Sequence, residues 1–241
     1  MENIEERIHG KAPFLEKVAS ALGRERQSTV ERPKWHHSPQ ERVLQHASAD
    51  ELVTVLEAQC QEIHTELVKT SSQKLREDLG RTIEAHGGGP IAYWNDQRFE
   101  EVQLADWLAC DLPGDGIETF AWNDQQNEQS VKFCEQANIG ITFTDCTLAE
   151  SGTVMLCSGE GKGRSVSLLP ATYIALIPKS TLVPRLTQAM DRLSEISDDE
   201  GKVPSCINWI SGPSNSADIE MSLVVGVHGP IKATYVLIED L

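Results

Sequence analysis

The sequence predicts an α/β protein, with a largely parallel sheet carrying helices on both faces and an N-terminal helical arm ahead of it. Three observations carry that expectation. Seven short apolar runs of four to six residues recur from Ile91 onward, and helical segments separate several of them. Runs that are apolar throughout suit strands buried on both faces, as in a parallel sheet. Glycine, serine and polar residues gather directly after these runs, where open α/β sheets bind ligands.

Taken in order, the first element is a helix on which Phe14, Leu15, Val18, Ala19 and Leu22 share a face, with Pro13 in its first turn and Gly23 placed to end it. From Arg24 to Ala47 the chain is polar, with Pro33, Pro39 and the pair His36–His37, and reads as a linker or a strap over another surface. The expected division is thus an arm over residues 1–47 and an α/β domain over 48–241. Ser48 with Glu51 forms a capping-box pattern, and Leu52, Val55, Leu56, Ile63 and Leu67 follow at helical spacing. A second helix, keyed by Leu75, Leu79 and Ile83, should stop at Gly87–Gly89. Strands are expected at Ile91–Trp94, Ile117–Trp122, Ile139–Thr144, Thr153–Cys157, Tyr173–Ile177, Ile207–Ile210 and Tyr235–Ile238. Further helices are expected at Gln126–Ala137 and Val183–Leu193, the latter on Val183, Leu186, Ala189, Met190 and Leu193. Asp191–Lys202 is acidic and reads as a solvated helix end and loop.

Composition excludes several function classes. With 21 Lys+Arg against 37 Asp+Glu the net charge is -16, which opposes nucleic acid and anionic membranes alike. The six cysteines, Cys60, Cys110, Cys134, Cys146, Cys157 and Cys206, show no C-x-x-C spacing and read as free thiols with no metal frame. Met1–Gly10 lacks the basic start and apolar run of a secretory signal, and the longest apolar run, Leu223–Val227, is far too short to span a bilayer. The expectation is a cytoplasmic protein with no membrane span.

Four clusters could carry chemistry. In Glu150-Ser151-Gly152-Thr153, Glu150 is either a nucleophile or base, or a carboxylate that holds its loop through backbone amides. In the run Ser158–Ser165, Gly161 and Gly163 would let amides approach an anion and Lys162 and Arg164 would supply charge; the alternative is a plain hairpin loop. It is neither a P-loop nor a G-x-G-x-x-G turn. After Ser211-Gly212-Pro213, either Ser214 or Ser216 could cap a short helix whose free amides attract an anion, with Asp218 and Glu220 serving the helix dipole. In Gly226-Val227-His228-Gly229-Pro230, His228 is either a proton donor or acceptor, or a group that fixes its loop.

Read together, these stretches resemble one family. Glu150-Ser151-Gly152-Thr153-Val154, Gly163-Arg164, Ser167-Leu168-Leu169-Pro170, Ser211-Gly212-Pro213-Ser214, Ala217-Asp218-Ile219-Glu220 and Val225–Pro230 follow the order and spacing of the LUD domain of the lactate-utilisation protein C family. Phe14-Leu15, Leu22-Gly23-Arg24-Glu25-Arg26 and Arg32-Pro33 extend the resemblance toward the N-terminus. It implies a fold similar to the sugar-phosphate isomerase and CoA-transferase superfamily. It also implies a part in oxidising L-lactate to pyruvate as one of three proteins, the other two carrying iron–sulfur clusters. This chain would hold no cofactor; it shows no flavin or nicotinamide fingerprint. Three positions depart from the usual pattern: Tyr173 stands where relatives commonly have His, Asn215 where they have Arg, and Ser151 where Thr is more usual. Lys162 or Arg164 could then supply the missing charge.

The leading expectation is a non-redox subunit that binds a small carboxylate, another anion or a partner through Gly152, Thr153, the Gly161–Arg164 loop, Gly212, Ser214, Ser216, Gly226 and Gly229. Two alternatives stand beside it: an acyl-CoA or sugar-phosphate enzyme with Glu150 as nucleophile, and a regulatory or assembly factor.

Overall fold

The computed structural model describes residues 9–196, 203–216 and 223–241, apart from Ser28, Val30, Arg32 and Trp35. The chain divides into two compact units, Met1–Pro39 and Gln40–Leu241. In the first, α1 (Lys11–Ala21) forms between Gly10 and Gly23, both in the left-handed region at φ +74° and +64°. A one-turn helix, α2 (Pro39–Arg42), marks the boundary.

In the second unit α3 (Ala49–Glu62) begins at a complete capping box. The Glu51 amide donates to Ser48 Oγ at 3.3 Å, and the Ser48 amide donates to Glu51 Oε2 at 2.7 Å. The remaining helices are α4 (Leu75–Ala85), α5 (Arg98–Glu101), α6 (Leu112–Gly114, continuing a π-helical turn at Trp107–Asp111), α7 (Asn127–Gln136), α8 (Ser165–Leu168) and α9 (Leu186–Ile196). Strands are β1 (Glu66–Thr70), β2 (Ile91–Tyr93), β3 (Thr119–Ala121), β4 (Ile139–Phe143), β5 (Cys146–Leu148), β6 (Thr153–Cys157), β7 (Thr172–Pro178), β8 (Leu182–Val183), β9 (Ile207–Ser211), β10 (Asn215–Ser216), β11 (Val224–Val225) and β12 (Lys232–Ile238).

Six strands make a wholly parallel sheet in the order β1-β12-β7-β4-β2-β3. Every residue of β4 and β7 is buried, which is why these stretches read as largely apolar runs. Helices surround the sheet: α4 packs on β1 and β12, α7 on β2 and β3, and α8 on β4. The α8 contact is unusually close. A Cβ on Gly140 in β4 would lie 1.9 Å from the Val166 carbonyl oxygen, so only glycine lets the α8 backbone rest on the strand there. A second, mixed sheet runs β8-β5-β6-β9, with β5–β6 and β6–β9 antiparallel and β5–β8 parallel. It has its own small core of Cys146, Met155, Cys157, Val183, Ala189 and Leu193. Among the described residues no helix is long and apolar enough to cross a membrane.

All seven expected strands form, with ends no more than three residues from those expected. Two helix expectations need correction. The periodicity through Leu67 runs past the real end of α3. His64 takes a left-handed φ of +54°, and Leu67 lies in β1 opposite Tyr235. Val183 lies in β8 opposite Leu148, because a residue before proline, here Pro184, is pushed out of the helical region; α9 starts at Leu186. The part of the acidic loop at 197–202 lies outside the described residues.

His86, at the end of α4, is buried, with Nε2 2.8 Å from Thr234 Oγ1 and, among the described residues, no partner for Nδ1. Burial, helped by the charge of Lys232, holds its pKa down at about 4. The native state therefore refuses a proton that the unfolded chain accepts near pH 6.5. Stability linked to His86 is full above that pH and is lost as pH falls from 6.5 toward 4, on the order of 3 kcal/mol in all. Urea unfolding at pH 7 and pH 4.5 checks this, and His86→Asn should remove most of the difference.

Candidate functional site

The order of strands locates the crevice. After β2 the chain moves outward to β3, and after β4 it moves the other way toward β7. The connections diverge between the carboxyl ends of β2 and β4, where open sheets bind ligands. In this protein that position is filled by its own charges. Asp96, just past β2, receives Arg98 Nε at 3.0 Å and Arg98 Nη2 at 2.6 Å. Arg98 Nη2 also donates to Asp145 Oδ1 at 3.1 Å, and Nη1 donates to the Thr144 carbonyl at 2.8 Å. Lys162 Nζ completes the group, 3.1 Å from Asp96 and 3.5 Å from Asp145. Burial alone would raise the Asp96 pKa; the bonds and charge of Arg98, with the charge of Lys162, outweigh it and bring the carboxyl to about 2. Two carboxylates and two cations thus balance inside a largely desolvated cluster.

This cluster also fixes the glycine-rich loop. The Asn95 amide donates to the Gly161 carbonyl at 3.0 Å, the Gly161 amide to Asp124 at 2.6 Å, and Trp94 Nε1 to the Gly163 carbonyl at 2.9 Å. Gly161 sits at φ +73°, and a Cβ on Gly163 would fall 2.0 Å from the Trp122 ring. The Gly161 amide does receive an anion, but it is Asp124's own carboxylate. Of the loop's two cations, Lys162 is committed to Asp96 and Asp145, while Arg164, among the described residues, reaches only Cys206 Sγ, at 3.9 Å.

The other three clusters meet at the opposite end of β6 and β9. Thr153 Oγ1 lies 2.7 Å from Ser211 Oγ. Tyr235, from the centre of β12, donates to the Gly152 carbonyl at 2.9 Å and accepts the Gly212 amide at 3.0 Å. The Ser214 amide donates to the Pro230 carbonyl, and the Gly226 amide to the Ser214 carbonyl, each at 2.8 Å. Gly152 and Gly212 take φ of +60° and +67°, and a Cβ on either would strike Ile63 or the Ile63 carbonyl, so close packing against the end of α3 is one reason for glycine there. Ser214 caps no helix, because β10 follows it and pairs with β11. Ser216 is in β10; the residues a cap there would serve, Asp218 and Glu220 included, lie outside the described residues. His228 is exposed on the loop between β11 and β12, with Gly229 against Ser214. The two larger departures from the family pattern separate cleanly. Tyr173 is fully buried, its hydroxyl 2.7 Å from Thr142 Oγ1, whereas Asn215 is exposed in β10.

A cavity of about 480 Å³ opens beside this second group, lined by Glu150, Ser151, Thr153, Arg185, Trp209 and Ser211 among others. Glu150 is ion-paired with Arg185 Nε. Sequence reasoning missed Arg185 and the Asp96–Arg98–Asp145 group. The signal for the latter was there, since Asp96 and Asp145 stand two residues and one residue after the ends of expected strands. Nothing local marked Arg185, which reaches Glu150 from 35 residues away.

Fold and site together define an open-sheet α/β domain with glycine-bearing loops at its strand ends. The LUD domain family matches residues 53–238. A lactate utilization protein C from Geobacillus sp. (strain WCH70) is 53% identical over 234 residues, covering 97% of each chain. The protein of that name from Bacillus subtilis (strain 168) is 52% identical over 234 residues, 97% of this chain and 98% of its own. The crystal structure of a DUF162 family protein from Deinococcus radiodurans shares the fold, with TM-score 0.55 and 17% identity over 80% of this chain and 99% of that one. The chain belongs to the lactate utilization protein C family of LUD domain proteins.

Proposed function

We propose that this chain is the non-redox subunit of a cytoplasmic system that oxidises L-lactate to pyruvate together with two iron–sulfur proteins. The observation that carries the reading is identity above half, over nearly the whole length, to proteins named for lactate utilization. Electron transfer falls to the partners. The six cysteines show no C-x-x-C spacing, and Cys60, Cys134, Cys146 and Cys157 are buried free thiols. This subunit contributes a site for a small anion or for a partner, built on its glycine-bearing loops. In the Gly161–Arg164 loop, Arg164 is the cation not bound to Asp96 and Asp145. Affinity purification of the tagged chain from cells growing on L-lactate is expected to bring down two iron–sulfur proteins. Recovery of the chain alone under those conditions would contradict the assignment.

A further inference from the structure

We propose that the cavity beside Arg185 seats a small 2-hydroxy or 2-oxo carboxylate, and that Glu150 is a built-in occupant which the ligand's carboxylate displaces. The proposal deepens the reading above and rests on it for the choice of probe. In a chain of net charge -16 an anion needs a local cation, and Lys162 is already committed elsewhere. Arg185 lines the cavity and is only partly covered, its side chain 29% exposed. Glu150 takes only Nε, and among the described residues Nη1 and Nη2 make no hydrogen bond, so a ligand carboxylate that takes Nε and Nη2 together exchanges a single contact for a bidentate one. Glu150 is itself a carboxylate on this guanidinium, 42% exposed and on a loop, so an incoming carboxylate replaces like with like.

The second half of the ligand is read by hydroxyls. Ser151 Oγ, Thr153 Oγ1 and Ser211 Oγ form a chain with 2.7 Å at each link, and all three residues line the cavity. Three hydroxyls carry three protons, and two are used along the chain. The third is left to donate at one end while the other end accepts, and the chain can run in either direction. It therefore serves a ligand hydroxyl, as acceptor, and a ligand carbonyl, as donor. Trp209 and Leu186 supply an apolar wall for the carbon body. A carboxylate with a hydroxyl or keto oxygen on the next carbon uses all three features.

Titration of the full chain with L-lactate, pyruvate and L-lactamide, followed by calorimetry, tests this. Saturable binding of the two acids is expected, with none of the uncharged amide. Arg185→Gln should weaken the acids by roughly tenfold or more. Ser211→Ala should weaken them by a smaller factor, and Glu150→Gln should tighten them by removing the internal competitor. Absence of binding to the wild-type chain, equal binding of lactamide, or acid binding unchanged by Arg185→Gln would each overturn the proposal. So would loss of binding in Glu150→Gln, which would make Glu150 a ligand-holding group. The lactamide comparison needs no variant and so does not depend on any substitution folding. Recovery of the iron–sulfur partners without carboxylate binding would remove this seat and leave the subunit assignment standing; carboxylate binding without partners would do the reverse.

Discussion

Arg98→Met is expected to cost about 3–5 kcal/mol of stability, because it leaves two buried carboxylates sharing one cation, with only backbone amides beside it among the described residues. Asp96 and Asp145 have side chains only 5% and 11% exposed, and Arg98 meets both while also satisfying the Thr144 carbonyl. Lys162 remains, but at 3.1 and 3.5 Å it is a single point charge facing two anions. Arg98→Lys keeps the charge but loses the fork, so it should fall between the two. The pH dependence should also change. In the wild type the Asp96 carboxyl is held at about 2, so its stabilising contribution is present above pH 3.8 and is lost as pH falls from 3.8 toward 2. In Arg98→Met the Asp96 carboxylate, buried and without its main partner, gains from protonation, so the deficit should shrink as pH falls from 7 toward 4. Urea midpoints across that range measure both effects, and a variant within 1 kcal/mol of wild type at pH 7 would refute the account.

Gly140→Ala should be comparably severe, with a loss of at least about 3 kcal/mol, the upper end of what overpacking costs. The new methyl would sit 1.9 Å from the Val166 carbonyl oxygen and 3.1 Å from Pro170 Cγ. The first obstacle is backbone, which has no rotamer to change, so α8 must lift from β4 or the strand must shift within the sheet. Gly80→Ala in α4 is the control: its nearest contact would be Trp107 Cζ2 at 3.8 Å. There the ordinary gain of alanine over glycine in a helix, about 0.5–1 kcal/mol, should appear. Thermal unfolding of the pair separates a close-contact effect from a general glycine effect.

The strands were legible in the sequence wherever burial on both faces made them largely apolar, as in Thr153–Cys157 and Ile139–Phe143. The edge strands β1 and β8 were not legible, although the edge strands β3 and β9 were expected. In β1, Glu66, Leu67, Val68, Lys69 and Thr70 have polar members because its outer side has no neighbouring strand, and Leu67 then fell into register with the preceding helix. The two-residue β8 is too short to show a period, and Val183 joined the helical pattern of α9 by coincidence. For the site, loops rich in glycine stood out, but glycine marks close approach of any kind. At Gly163 and Gly140 what approaches is Trp122 and Val166, not a ligand. The cavity depends on Thr153 meeting Ser211 and Glu150 meeting Arg185, pairings across 58 and 35 residues that only the folded chain brings about.

The most direct measurement is dye-linked L-lactate oxidation by the complex purified from cells with this chain and from cells lacking it, both supplied with the iron–sulfur proteins. The account predicts that activity is lost without the chain and restored when the purified chain is added back. Equal activity in the two preparations would contradict it.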